Sequence, residues 1–315
     1  MLKPSNNPTS LTIIGCVQAD VIVRSVTDLP APGGTMLLDD AVVRVGGAGG
    51  NAGLVAAEIG MDVRLVGCIG DDQVGALMQT ELAPLGVADD LIVIPGDATG
   101  LTVALQSPLR DRTFLTFLGV NERWEAQMIA DETLHCANLL LCDYFVAPRL
   151  RGAASSGLLA AARANGARTF FDTTWDPDGF PPATRDEVYE LLPLVDVLLP
   201  NEIEACALAD VPDEPRRAAR VLQQISGGWV AVKLGADGCY AAGPDAAEFA
   251  VPAPRADVVD TTGAGDAFNA GLINALGAGA GWEAALSQAT RLASEIVSRP
   301  SDDRQRRTEP AEVPR

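Results

Sequence analysis

Short apolar runs alternate with longer segments of helical periodicity along most of the chain. Runs rich in Val, Ile and Leu and bounded by turn-forming residues predict buried strands, and they occupy residues 11–17, 63–70, 139–142, 168–171, 196–199 and 229–233. Segments whose apolar residues recur every three or four positions predict helices, and they occupy residues 52–60, 150–164, 184–192, 202–209, 214–225, 267–276 and 289–298, with a further helix and loop over 73–90. This alternation favours a parallel sheet covered by helices on both faces, which is an α/β fold.

Two segments depart from this rhythm. Residues 21–45 contain two short strands around a Pro/Gly turn, and residues 91–117 contain three more, the last two joined by a hairpin around 108–111. No internal repeat or long linker interrupts the remaining pattern. We therefore predict one domain over residues 11–301, between flexible polar tails at 1–10 and 302–315.

Composition narrows the range of partners. The net charge of −19 over 315 residues argues against binding to nucleic acid or to an anionic membrane surface, because both require a basic protein surface. The first residues lack the apolar core of a signal peptide, and no apolar stretch is long enough to cross a membrane. The six cysteines are widely spaced without a CxxC pair, as expected for buried free thiols in a reducing cytoplasmic location.

The stretch from Asp260 to Gly271 carries the strongest candidate chemistry. Its sequence, Asp-Thr-Thr-Gly-Ala-Gly-Asp-Ala-Phe-Asn-Ala-Gly, places two glycines directly before a predicted helix. Free amides at a helix N-terminus favour an anion, and Asp266 lies at the same point. Amides that hold a phosphate beside an acid that accepts a proton suit phosphoryl transfer. The helix N-terminus should also favour the ionised form of Asp266. The simpler alternative is a turn with an Asp near the N-cap.

A second glycine-rich stretch, Gly46-Gly47-Ala48-Gly49-Gly50-Asn51-Ala52-Gly53, precedes another predicted helix. Gly47-x-Gly49-x-x-Ala52 fits a dinucleotide-binding fingerprint, for which Asp71 or Asp72 would supply the ribose-binding acid. Further along, Asn201 and Glu204 have the spacing of a capping box, and the same spacing places both side chains where they could order waters around Mg²⁺. Asn201 and Glu204 could therefore cap the helix, order the waters of Mg²⁺, or do both.

Taken together, these motifs resemble the PfkB/ribokinase family of small-molecule kinases. The stretch from Asp260 to Gly271 resembles the family's C-terminal signature, and Gly-Gly-x-Gly-x-Asn followed by Gly60 and Gly70 resembles its N-terminal signature. Asn-x-x-Glu at 201–204 and Gly-x-x-Gly at 235–238 follow in the family's order. The resemblance covers about residues 11–301. It departs at Gln18 and Ala48, where ribokinases proper often carry Asn and Lys, which argues against ribose as the substrate.

The resemblance implies a role for each matching residue. Asp266 would be the catalytic base, and the amides of Gly263, Ala264 and Gly265 would form the anion hole. Gln18, Asp20, Gly46, Gly47 and Asn51 would bind the sugar. Asn201, Lys233, Gly235 and Gly238 would meet the nucleotide, with Asn201 and Glu204 holding Mg²⁺ through water. Lys233 replaces a common Thr, so it could contact phosphate or be solvated. Asp260 and Thr262 would bind a monovalent cation such as K⁺.

The implied fold is a ribokinase-like three-layer sandwich with a mainly parallel central sheet and a small β-sheet lid, built from segments near 18–45 and 100–120. The implied activity is transfer of the γ-phosphate of ATP to a hydroxyl of a small sugar, and the implied assembly is a homodimer formed through the lid. A nucleoside kinase of the same family, a nicotinamide-dependent dehydrogenase and a non-catalytic sugar-binding module are the alternatives.

Overall fold

A central sheet of eight strands forms the middle layer of the computed structural model, which describes residues 7–107 and 113–299. In order across the sheet, these strands are β14 (Glu248–Val251), β13 (Cys239–Ala242), β12 (Trp229–Lys233), β11 (Val197–Leu198), β10 (Arg168–Phe171), β9 (Asn138–Leu141), β1 (Leu11–Ile14) and β4 (Val63–Val66). The strands from β12 to β4 pair in parallel, whereas β13 and β14 pair antiparallel. The predicted mainly parallel sheet is confirmed.

Helices cover both faces of this sheet. They are α1 (Ala48–Glu58), α2 (Gln73–Leu82), α3 (Ala153–Ala164), α4 (Pro182–Leu191), α5 (Glu202–Ala209), α6 (Pro215–Ser226), α7 (Ala264–Gly277) and α8 (Trp282–Val297). Successive strand residues point to opposite faces, so Leu141 packs in a core with α3 to α6, while Leu140 packs in a second core with α1, α2, α7 and α8. Two cores separated by one sheet make a three-layer sandwich, as predicted.

A second, four-stranded sheet stands apart from the central one. Its order is β3 (Ala41–Gly46), β2 (Gln18–Val23), β7 (Leu101–Leu105) and β8 (Thr113–Phe117), and we call it the lid sheet. A two-stranded sheet, β5 (Cys68–Gly70) with β6 (Ile92–Ile94), completes the described strands. Strand β1 stops at Ile14, three residues before the predicted end, and Gln18 and Asp20 lie in β2 of the lid.

Other boundaries also differ from the sequence-based expectation. Helix α1 begins at Ala48 rather than at residue 52, and the strands β13 and β14 were not predicted. The apolar pair Val258 and Val259 lies in an exposed loop. Residues 7–10, assigned to a flexible tail, contact the sheet, where the Asn138 amide donates to the Pro8 carbonyl at 2.9 Å. The predicted hairpin turn at 108–111, the rest of the N-terminal tail and the tail at 302–315 lie outside the described residues.

Candidate active site

The predicted anion site lies at the N-terminus of α7. Gly263 is the N-cap with a φ of 77°, a left-handed conformation that glycine adopts without strain. The Ala264 amide donates to the Thr261 carbonyl at 3.3 Å. In the described part of the chain, no acceptor meets the Gly265 amide, so it is available to a ligand anion. The structure therefore forms the turn and helix start on which the anion-hole prediction depends.

Asp266 lies in the first turn of α7 and is partly buried, with the Asn51 side chain nearby. Burial and the nearby Asp172 carboxylate raise the pKa of Asp266 well above its ordinary value, while Lys233 and Asn51 lower it. In the ligand-free protein, burial and the Asp172 charge therefore outweigh the effect expected from the helix N-terminus. A raised pKa still suits a general base, because a more basic carboxylate accepts a proton more readily once it is ionised.

Lys233 ends β12 and points at this site. Its Nζ lies 2.7 Å from Asp172 Oδ2 and 3.5 Å from Asn269 Oδ1, and Asn269 Nδ2 donates to the same Asp172 oxygen at 2.6 Å. A Cβ built on Gly265 would lie 3.4 Å from Nζ, so the ammonium directly adjoins the anion site. The Asp172 and Glu204 carboxylates raise the pKa of Lys233 despite its burial. Lys233 is therefore charged and held in place, rather than solvated.

A cavity of about 1030 Å³ opens in front of these groups. The turn from Gly235 to Gly238 after β12 forms one wall, the loop 253–258 forms another, and α8 contributes Ala293 and Val297. Asp266, Gly265 and Lys233 also line it. Its lining joins the nucleotide-side turn to the start of α7, where Gly265 would meet the anionic end of a ligand. It therefore unites the predicted nucleotide-binding residues.

Asn201 and Glu204 form the predicted capping box at the start of α5. The Glu204 amide donates to Asn201 Oδ1 at 2.9 Å, and the Asn201 amide donates to Glu204 Oε2 at 2.8 Å. Burial and the Asp172 charge raise the pKa of Glu204 to about 7. Both residues line the cavity, so the capping box and a role toward a metal are compatible. Among the described residues no cluster of three or more His, Cys, Asp or Glu forms a metal cage. Asn201 and Glu204 as ligands through water fit Mg²⁺, which retains several waters and takes few protein ligands.

The second glycine-rich stretch is held by Asp143, a residue that the sequence analysis did not identify. Asp143 follows β9, and its carboxylate accepts the amides of Cys16 at 2.8 Å, Gly49 at 2.9 Å and Ala48 at 3.2 Å. These bonds satisfy the otherwise unpaired donors at the N-terminus of α1. Burial raises the pKa of Asp143 to about 6 against the lowering effect of these hydrogen bonds. Asp143 thereby fixes Gly47 and Asn51 relative to Asp266.

The lid sheet presents a polar face to the same region. Gln18 Nε2 donates to Thr102 Oγ1 at 2.7 Å and lies 3.4 Å from Asp20 Oδ1. A Cβ on Gly46 would lie 2.1 Å from the Asp20 carboxyl, so only glycine permits this approach. From the end of β7, on the same face, Gln106 Nε2 reaches Asp260 Oδ1 at 3.3 Å. The predicted sugar-binding residues thus face the cleft between the lid and α7.

The remaining candidates have structural partners. Asp260 is buried and accepts the Thr262 amide at 2.9 Å, and this pair stays a predicted cation site. Asp72 caps α2 by accepting the Gly75 amide at 2.8 Å, and Asp71 accepts the Gly96 amide at 2.9 Å. These bonds assign both acids to structural roles and give the dinucleotide reading no ribose-binding acid.

The fold and this site define a small-molecule kinase of ribokinase-like architecture. Residues 8–308 match the pfkB family carbohydrate kinase, and the chain belongs to that family. It is therefore an enzyme that transfers phosphate to an alcohol. None of the alternatives outside the kinases is retained. No described helix has the length and apolar character needed to span a membrane.

Relatives and solved structures agree with this assignment. The chain is 27% identical to a ribokinase of Haemophilus influenzae, with 85% of each chain covered. It is 33% identical to a 1-phosphofructokinase of Rhodobacter capsulatus, with 82% of this chain and 83% of that protein covered. It resembles the structure of Arabidopsis thaliana ribokinase complexed with ribose and ATP, with a TM-score of 0.79, 25% identity, and 92% and 93% of the two chains covered.

Proposed function

We propose that the protein transfers the γ-phosphate of ATP to a hydroxyl group of a small sugar, with Asp266 as the base. The observation that carries this proposal is the position of Asp266. It lines the large cavity together with Gly265 and Lys233, and Asn51 of the sugar side lies next to it. The Arabidopsis ribokinase was solved in complex with ribose and ATP, which supports a sugar and ATP as the two substrates here.

In this proposal, ATP occupies the cavity and its terminal phosphate meets the α7 amides and Lys233. Asp266 accepts the proton of the attacking hydroxyl, whose oxygen forms a bond to the γ-phosphorus as the bond to the β–γ bridging oxygen breaks. The Gly263–Gly265 turn and Lys233 stabilise the negative charge on the transferring group. Asp172 and Asn269 keep the ammonium directed at that point. The lid face holds the sugar and excludes water.

The residues present fit a magnesium ion beside the phosphate site. Asn201 and Glu204 would hold it through water, since the capping box leaves Glu204 Oε1 without a hydrogen bond to Asn201. When bound, Mg²⁺ supplies neutralising charge to the phosphate oxygens. Asp260 and Thr262 would bind K⁺, and turnover in KCl compared with choline chloride, in the wild type and in Asp260→Asn, tests this. Equal turnover in both salts would remove the K⁺ assignment.

The outer face of the lid sheet supports a homodimer. Val43, Val21, Val103 and Leu115 form one row across the four strands. At the two ends of this row Val43 is 50% and Leu115 is 57% exposed, and Phe117 nearby is 56% exposed. A second lid would cover this apolar row. Sedimentation velocity should show a dimer for the wild type and a monomer for Leu115→Lys, while Leu77→Lys on α2 stays dimeric. A monomeric wild type at micromolar concentration would contradict the dimer.

An ADP-release assay with ATP and Mg²⁺ tests the activity. The acceptors are ribose, fructose, 2-keto-3-deoxygluconate, tagatose 6-phosphate, inositol and adenosine. Turnover with a sugar is the expected result. A strong preference for adenosine would support the nucleoside kinase alternative instead. Failure of the protein to bind ATP would contradict the proposal, whichever acceptor is used.

A further inference from the structure

Arg44 is a buried cation that the proposed phosphoryl transfer does not use. It lies in β3 of the lid and is only 3% exposed. In the described part of the chain its Nε and Nη2 have no hydrogen-bond partner, and it forms no ion pair with a described carboxylate. An unpaired guanidinium away from water is costly, so proteins rarely keep one without a partner.

The strand register places Arg44 on the face of the lid that borders the cleft. In the strand register, Arg44 of β3 lies directly opposite Asp20 of β2, and Asp20 lies directly opposite Thr102 of β7. Paired residues of neighbouring strands share a face, and residues two apart along one strand share it as well. Gly46, Gln18 and Asp20 are therefore on the same face as Arg44. From this face Gln106 reaches Asp260, beside the start of α7.

A second buried side chain without partners lies in the same region. Asn121 is fully buried, and neither its Oδ1 nor its Nδ2 has a hydrogen-bond partner. A Cβ on Gly100 would lie 2.7 Å from Asn121 Nδ2 and 3.3 Å from Gln18 Cβ, which places Asn121 beside Gln18. The predicted hydroxyl-binding residues Gln18 and Asp20 therefore lie near two side chains, Arg44 and Asn121, with buried N–H groups that have no described acceptor.

The identity of the unpartnered atoms on Arg44 indicates the ligand. Nε and Nη2 are the two donors on one edge of a guanidinium, and together they form a fork that matches two oxygens of one oxyanion. The chain itself shows this geometry in Arg151, whose Nε and Nη2 each donate to one oxygen of Glu187 at 3.0 Å. The same edge of Arg44 is buried and meets no acceptor among the described residues.

We propose that the sugar substrate carries an oxyanion, a carboxylate or a phosphate, which the Nε/Nη2 edge of Arg44 binds while Asp20 and Asn51 hold its hydroxyls. This inference rests on the proposed kinase function and adds the chemical class of its acceptor. Arg44 belongs to the lid and Asp266 to α7, so the proposal assigns the anionic group and the reacting hydroxyl to different parts of the acceptor.

Three matched pairs of acceptors test the proposal: D-glucitol with D-gluconate, D-ribose with D-ribose 1-phosphate, and D-fructose with D-fructose 1-phosphate. We expect the anionic member of at least one pair to have a kcat/KM at least 10-fold above its neutral partner. The gluconate pair reports on a carboxylate, and the other two report on a phosphate. If no compound is turned over, calorimetry with the Asp266→Asn variant and the same six compounds shows whether the anionic member of a pair binds more tightly than the neutral one.

Variants separate recognition from structure. Arg44→Met should raise the KM of the preferred anionic acceptor roughly 10- to 100-fold, with a much smaller change in kcat and none in the KM of its neutral partner. Arg44→Lys should recover only part of the loss, because it keeps the charge without the fork. Arg24→Met is the control, since Arg24 is a lid arginine already paired with Asp40.

Three outcomes would overturn the proposal. The first is a neutral acceptor that is used or bound as well as its anionic partner in every pair. The second is an Arg44→Met variant that leaves the KM of the preferred acceptor unchanged. The third is an equal loss toward charged and neutral acceptors with a lower melting temperature, which would make Arg44 structural. Absence of any ATP binding would instead contradict the kinase function, so the two failures are distinguishable.

Discussion

Lys233 Nζ and Asp172 Oδ2 lie 2.7 Å apart in the wall of the cavity, and both side chains are largely buried. The pair joins the ends of β10 and β12 and places one positive charge beside the Gly265 amide. The chain contains only one other lysine, Lys3. A protein with a net charge of −19 thus keeps a lysine where the proposed reaction concentrates negative charge.

Replacing Lys233 should affect turnover more than binding. Lys233→Met should lower kcat about 10²- to 10³-fold, because a positioned charge at the transferring group is lost. Steady-state kinetics provide the measurement. Labelling by an amine-reactive ATP analogue gives a second readout, since ATP should protect Lys233 while Lys3 serves as the internal reference. Labelling of Lys233 that ATP does not reduce would contradict a phosphate contact.

The pH dependence of turnover should report Asp266. A base must be ionised, and the pKa of Asp266 is raised, so kcat/KM should increase with pH along a limb above the usual range of aspartate. Lys233 lowers this pKa, so Lys233→Met should move the limb to higher pH. The measurement is kcat/KM against pH for both proteins, with thermal unfolding at each pH as the control. A limb that stays fixed in Lys233→Met would contradict the assigned coupling.

Glu204 should set the magnesium requirement. Glu204→Gln should raise the concentration of free Mg²⁺ needed for half-maximal turnover roughly 10- to 100-fold, because a carboxylate that orders the metal's waters is lost. Titration of Mg²⁺ at fixed ATP measures this. Glu202→Gln is the matched control, since Glu202 is an exposed carboxylate in the same turn of α5. An equal effect of both variants would contradict a specific role of Glu204, because it would reflect only the loss of a negative charge in the first turn of α5.

Asp143 should stabilise the glycine-rich start of α1. Asp143→Ala removes the acceptor of three amides and should lower the free energy of unfolding by about 3 kcal/mol. It should also raise the KM of the sugar, because Gly47 and Asn51 lose their anchor. Chemical denaturation and acceptor kinetics measure the two effects. Unchanged stability would show that the amides find other acceptors.

The Asp143 carboxyl should also make the stability of the protein depend on pH. The pKa of Asp143 is about 6 in the folded protein, above its ordinary value, so folding favours its protonated form. Its contribution to stability is full below the unfolded pKa and is lost as pH rises toward 6. The wild type should therefore lose stability relative to Asp143→Asn between about pH 4 and pH 6.

Most of the fold could be predicted from the sequence because its central strands are continuous apolar runs and its helices have clear periodicity. The misses have physical reasons. Cys239–Ala242 lacks β-branched residues and belongs to an antiparallel edge. Helix α1 starts early because its glycines, read as a loop, pack closely: a Cβ on Gly49 would lie 2.5 Å from the backbone of Gly15.

The candidate site was predicted where residues lie in contiguous motifs. Asp143 and Asp172 are single acids that follow buried strands, and they join the site only because parallel strands bring their carboxyl ends to one edge. An acid directly after a predicted parallel strand could therefore have been identified as a candidate site residue from the sequence. Arg44 had no such signal, since its burial and lack of partners depend on the register of the lid and on packing between distant segments.

The most direct test of the central claim compares Asp266→Asn with the wild type, using the preferred acceptor and calorimetry with ATP and Mg²⁺. Asparagine keeps the shape of the side chain but cannot accept the proton. We predict ATP binding within a few-fold of the wild type and a kcat reduced about 10²- to 10⁴-fold. Turnover equal to that of the wild type would contradict the assignment of Asp266 as the catalytic base.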